Sequence, residues 1–141
     1  IVDKSIPLIN KLINQNLTKF GFFVRFELDS EFNENIAVRG FEPANYYDFS
    51  EGEKLRIDMA ILLAWRDISM LQNAMFCNVL FLDEMTDASM DDEGIEIFSQ
   101  MLTSLKDNNV FIISHKPEKL ENIARSTIII EKKDGYSNIR T

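Results

Sequence analysis

Val79-Leu80-Phe81-Leu82-Asp83-Glu84 decides the fold. Four consecutive apolar residues between Asn78 and Asp83 are too short for a helix and read as a buried strand. The strand hands two carboxylates to its C-terminal end, the edge at which ligands bind in open α/β sheets. Working outward, Asp91–Leu105 places Ile95, Phe98, Leu102 and Leu105 on one helical face, and Val110–Ser114 is a second apolar strand, leading into His115. A short helix is expected over Pro117–Ala124 and a third apolar strand over Thr127–Glu131. Asp134-Gly135 then turns the chain into Tyr136–Arg140. Upstream, Glu53–Leu71 carries Leu55, Met59, Ile61, Leu62, Leu63, Trp65 and Ile68 on several sides, the pattern of a mostly buried helix. Apolar strands alternating with helices predict an α/β fold with a parallel sheet covered on both faces.

The N-terminal part reads differently. Val2, Ile6, Ile9, Ile13 and Leu17 form a helical stripe over Ile1–Thr18. That segment is either an ordinary amphipathic helix or the last turns of a coiled coil entering a globular head. Pro7 suits a helix first turn or a kink. Phe22, Val24, Phe26 and Leu28 alternate with Phe23, Arg25 and Glu27, and Ile36–Gly40 resembles a second strand. The polar stretch Asp29–Asn35 between them predicts a hairpin. Phe41–Asp48 is expected as a loop because of Pro43, Asn45 and Asp48. The division expected is residues 1–18 as a helix or coil end and 19–141 as one globular unit.

Composition bounds the function. The chain has 141 residues, 45% hydrophobic, enough for a sizeable core. Its net charge of −8 argues against a duplex-DNA clamp formed by this surface alone. The lone cysteine, Cys77, excludes a disulfide framework and predicts a reducing, cytoplasmic setting, with Cys77 itself as core filler. No apolar run approaches the roughly 20 residues that cross a bilayer. A first residue of Ile rather than Met predicts an excerpt of a longer product.

Three places carry candidate chemistry. Ser50-Glu51-Gly52-Glu53 stands where a loop becomes a helix. Free N–H groups and the helix dipole favour an anion there, Ser50 adds a hydroxyl, and Gly52 permits close approach. The same residues also read as a plain capping box between Ser50 and Glu53. Asp83 can hold Mg²⁺ directly or through water, and Glu84 can orient or deprotonate an attacking water; the alternative is a pair of solvated acids. His115 at a strand exit can donate to a transferring phosphoryl group or be an ordinary surface histidine. As the single histidine it cannot build a histidine metal cluster, so zinc is not expected.

With Phe49-Ser50-Glu51-Gly52-Glu53, Leu80-Phe81-Leu82-Asp83-Glu84, Ser89-Met90-Asp91 and Ser114-His115 in this order, the chain resembles the C-terminal half of an ABC-type ATPase head. These stretches look like the family's signature, Walker B, D-loop and switch histidine. Glu53-Lys54 and the N-terminal helix point to the SbcC/SMC-like double-strand-break-repair branch, with its phage recombination members nearest. The sequence departs from the pattern at Glu51, where the signature has glycine, and at Met85, where proline is usual; its Asp83–Asp91 stretch looks one residue long. No GxxxxGK[ST] phosphate loop occurs, which fits a family whose phosphate loop lies in an N-terminal half beyond a long coil.

The resemblance implies ATP and Mg²⁺ as ligands. Ser50 and the Gly52 amide would contact the γ-phosphate of ATP held by an opposite head, with Glu53 part of the same ATP-binding signature in trans. Asp83 would support Mg²⁺, Glu84 would polarise water, His115 would contact the γ-phosphate in cis, and Ser89 and Asp91 would couple the sites. It also implies the N-terminal Walker A half, a head–head homodimer, a metallophosphoesterase-type nuclease subunit, and DNA reached through the assembly in a host cytoplasm. No membrane partner is implied. Two other functions fit the motifs: a chromosome-organising SMC-type ATPase head, and a non-catalytic interaction module on a degenerate ATPase fold. The isolated chain is expected to be inactive.

Overall fold

The computed structural model describes residues 2–38, 43–73, 78–85, 92–105, 108–116, 118 and 120–140. Helix α1 runs Val2–Lys19 with Pro7 inside it. Of its predicted stripe, Ile6, Ile9, Ile13 and Leu17 are buried. It ends because Gly21 takes φ +69°. There Phe22 N–H reaches Leu17 O at 2.9 Å and Gly21 N–H reaches Thr18 O at 3.1 Å. This is the paired-bond helix stop that a left-handed glycine permits.

Strands β1 (Val24–Leu28) and β2 (Glu34–Val38) form the predicted hairpin, antiparallel with Phe26 opposite Ile36. Its polar turn is held by Asp29, whose Oδ1 accepts the Glu31 and Asn33 amides. Those bonds, the Asn33 side-chain bond foremost, hold the Asp29 carboxyl below its ordinary pKa.

Two asparagines one turn apart dock α1 on the outer edge of β1. Asn10 accepts from Leu28 N–H and donates to Leu28 O, while Asn14 does the same with Phe26. Each side-chain amide thus satisfies one donor and one acceptor of an edge that would otherwise stay open to another strand. The buried Asn16 donates to Ala60 O in the next helix at 3.2 Å.

The stretch expected as a loop is more ordered than its residues suggest. Pro43–Ala44 is a short strand, β3, paired with β2. Tyr46–Asp48 is one turn of 3-10 helix, capped because Asn45 Oδ1 accepts Tyr47 N–H while Asp48 accepts Asn45 N–H. Helix α2 follows over Glu51–Asn73. Leu55, Ile57, Met59, Ala60, Leu63, Ala64 and Ile68 are buried in the main core with Phe26, Ile36 and Ile9, Ile13 and Leu17 of α1. Leu62 and Trp65, expected inside, lie on the solvent side; Trp65 stacks on Phe32 of the hairpin turn.

Strand β4 (Val79–Asp83) and strand β5 (Asn109–Ile113) pair in parallel, Asp83 opposite Ile113, and helix α3 (Asp92–Thr103) lies between them in the chain. Leu80 and Leu82 join Phe98 and Met101 in the core. The other face is open. Phe81 is 66% and Phe111 52% exposed, with Val79 and Ile113 beside them. The α/β fold with parallel core strands is as expected, and among the described residues the covering layer lies on one side of this strand pair only.

The third apolar strand is also placed differently. Ile129–Lys133 (β6) pairs antiparallel with Tyr136–Arg140 (β7), as a separate exposed hairpin. The predicted Asp134-Gly135 turn is present. Both residues have positive φ, 53° and 86°, which matches the twist of a two-residue hairpin loop. Of the short helix expected at Pro117–Ala124, the described residues form a turn, with Ile123 and Ala124 donating to Leu120 O. Ser89, Asp91 and Cys77 lie outside the described residues.

Candidate functional site

Parallel pairing gives β4 and β5 the same C-terminal edge, so Glu84 and His115 emerge side by side. Glu84 N–H still donates to Ile113 O at 2.9 Å, one step past the ladder. Its φ is +53°. A glutamate gains nothing from that left-handed conformation, which non-glycine residues rarely adopt, and such backbone clusters where a side chain must be aimed. The aim is visible: Glu84 Oε1 lies 3.1 Å from His115 Nε2. Both side chains stay open to solvent, 60% and 79% exposed, so the pair is accessible to a ligand.

Asp83 ends β4 on the exposed face of the pleat. Among the described residues no group of three or more His, Cys, Asp or Glu is placed to hold a metal ion. Asp83 alone is one oxygen ligand, so an Mg²⁺ ion there would draw its other oxygens from water and phosphate.

The Ser50 turn carries the other candidate residues. Ser50 caps α2: its N–H and its hydroxyl both donate to Glu53 Oε2 at 2.8 Å, and Glu53 N–H reaches Ser50 Oγ at 3.4 Å. The capping box is therefore present, and it occupies the donors that an anion would also use. Lys54 pairs with Glu51 at 2.9 Å, an exposed contact of little weight for stability.

Gly52 is more informative. Among the described residues a Cβ there would meet nothing within 4 Å, so no packing among them requires glycine. Gly52→Ala should raise the melting temperature slightly, up to the ~1 kcal/mol by which alanine outranks glycine in a helix. Calorimetry on the two proteins checks this, and a lower melting temperature would show a packing demand at this position.

The residues around Ser50 make contacts that the sequence reading did not foresee. Phe49 is buried and meets Phe22 edge to face at 5.8 Å. Arg56 of α2 lies over the Phe22 ring at 5.6 Å, a cation–π contact. Tyr46 donates to Asp58. Phe49 opens the quoted motif, and its aromatic ring was the available signal for its burial. No periodicity links Tyr46 to Asp58.

No family model matches the chain. Exonuclease subunit 2 of Enterobacteria phage T4 is 42% identical over 139 residues, covering 92% of this chain and 25% of that protein. Exonuclease subunit 2 of Escherichia phage RB69 is 47% identical over 116 residues, covering 82% and 21%. The chain thus spans about a quarter of the length of these curated relatives.

Among solved structures, one of SMC ATPases described for ATP-driven dimerization and DNA-stimulated activation aligns with TM-score 0.72 at 19% identity. It covers 97% of this chain and 84% of that one. The SMC head domain from Thermotoga maritima aligns with TM-score 0.68 at 21% identity, over 99% and 49%. At such identities the likeness is one of fold.

Proposed function

From the premise that this chain belongs to the SbcC/SMC-like ATPase family, matching the C-terminal half of its head, we propose that it is one side of a composite ATP site. In this reading ATP bridges two heads. The phosphate-loop segment of one head holds the nucleotide, and the Ser50 turn of the other closes on its γ-phosphate. The observation that carries the reading is the shared strand edge, where a left-handed backbone aims Glu84 at His115.

The chemistry follows from these groups. Glu84 orients water for in-line attack and takes its proton. His115 hydrogen-bonds both Glu84 and the transferring phosphoryl oxygens, so it registers their loss. Mg²⁺, when bound beside Asp83, neutralises phosphate charge. The Ser50 hydroxyl, the Gly52 amide and the dipole of α2 favour the γ-phosphate in trans; the open space at Gly52 suits that approach. Glu53 releases Ser50 as the phosphate arrives. Ser89 and Asp91 are proposed to couple the two sites.

The uncovered β4–β5 face supports the same reading. Phe81 and Phe111 stack at 5.0 Å in the open, whereas parallel sheets are ordinarily covered on both sides. The phosphate-loop half of the same protein is the proposed cover. We further propose that head engagement controls a metallophosphoesterase-type nuclease on DNA ends, with α1 as the entry from a coiled coil. The 42–47% identity to proteins named exonuclease subunits favours this over a chromosome-organising role.

Steady-state ATPase measurements test the proposal. The purified chain alone should match buffer, because backbone amides and the lysine of a phosphate loop supply most nucleotide affinity in such sites. Adding the phosphate-loop half should restore turnover. Turnover by this chain alone that Glu84→Gln abolishes would contradict the composite site.

A further inference from the structure

Tyr46 and Asp58 take no part in the proposed chemistry, yet they tie together the two elements that meet at Ser50. Tyr46 belongs to the 3-10 turn just before Ser50, and Asp58 lies about two turns into α2. The phenol sits 2.9 Å from each Asp58 carboxylate oxygen. The backbone between is held as well: Asn45 caps the turn, and Phe49 N–H donates to Tyr46 O at 3.4 Å. Phe49 itself is buried against Phe22. The path from Asn45 to Ser50 is therefore pinned at its start, at Tyr46 and at Phe49.

Asp58 is open to solvent on one side and desolvated on the other. Desolvation raises its carboxyl above the ordinary aspartate value, with the Glu51 charge adding to the rise while the Tyr46 bond and Lys54 oppose it. A raised folded-state pKa contributes stability at pH below the ordinary value, and that contribution is lost as pH rises through the folded one. Once Asp58 is ionised, its charge therefore adds nothing to folding. What the charge provides is a strong acceptor for Tyr46.

We infer that the Tyr46–Asp58 hydrogen bond is a strut that sets the Ser50 turn on α2, making both residues positioning residues for the trans phosphate contact. The inference rests on the head-engagement reading above and adds the part that holds its signature in place.

The test is ATP-induced dimerisation of the full-length protein, followed by light scattering with Mg²⁺ across ATP concentrations. Tyr46→Phe removes the hydroxyl and should raise the half-maximal ATP concentration about tenfold, the size of one hydrogen bond to a charged group. Asp58→Asn keeps an acceptor oxygen without the charge and should fall between wild type and Tyr46→Phe. Asp58→Leu should match Tyr46→Phe, and the double variant Tyr46→Phe/Asp58→Leu should be no worse than either single. Melting temperatures of the set should not follow this order, since a merely structural role would move stability and engagement together.

Tyr46→Phe engaging at wild-type ATP concentrations, while Ser50→Arg still blocks, would overturn the strut and leave the composite site standing. Equal loss in Asp58→Asn and Asp58→Leu would also overturn it. If Ser50→Arg engages normally, the composite site fails first.

Discussion

Glu84→Gln in the full-length protein should cut ATP turnover by about 10²–10⁴-fold, the usual contribution of a general base. ATP-bound dimers should accumulate at the same time. Gln matches Glu in shape but cannot take the proton of the attacking water, so the step after engagement stops. The Glu84 backbone, with φ 53° and its amide on Ile113 O, owes nothing to the carboxylate and should persist. His115 can still bond a side-chain amide oxygen, so the strand edge keeps its geometry. Light scattering reads the dimers and phosphate release reads the turnover. Near-normal turnover would remove Glu84 from the reaction.

Ser50→Arg should abolish ATP-induced dimerisation and leave the first ATP on the phosphate-loop half nearly unaffected. Its expected folding cost is small. The Ser50–Glu53 box is an exposed helix cap, and losing such a cap costs about 1 kcal/mol. The expected functional cost is far larger, because a long side chain at the helix terminus displaces the phosphate from several donors at once. Thermal melting separates cap from contact. A folded variant that still dimerises with ATP would return Ser50 to capping alone.

Much of this was legible in the residues. The period of Ile6, Ile9, Ile13 and Leu17 found α1 and its buried side. The alternation around Phe26 found β1, and Asp134-Gly135 found the two-residue turn between β6 and β7. The runs before Asp83 and Ser114 located both strands whose shared edge makes the candidate site, and the fold matches SMC heads.

What was not legible has physical causes. Thr127–Glu131 is apolar like β4 and β5, and an apolar run does not say which strand it pairs with. Phe81 and Phe111 are as hydrophobic as core residues, so their exposure is invisible until the layer over them is located. Leu62 and Trp65 follow the same logic on α2. The ordered turn at Tyr46–Asp48 depends on side-chain caps and on Asp58, contacts between a loop and a helix that no period encodes.

The central claim is that each ATP site takes Glu84 from one head and Ser50 from the other. Mixing two full-length variants tests it most directly, one carrying Ser50→Arg and the other Glu84→Gln. In a mixed dimer, one site then receives the intact Glu84 and the intact Ser50, while its twin receives both lesions. The account predicts turnover in the mixture well above that of either variant alone. If Ser50 served the site of its own head, every site would carry one lesion, and a mixture as inactive as its components would contradict the account.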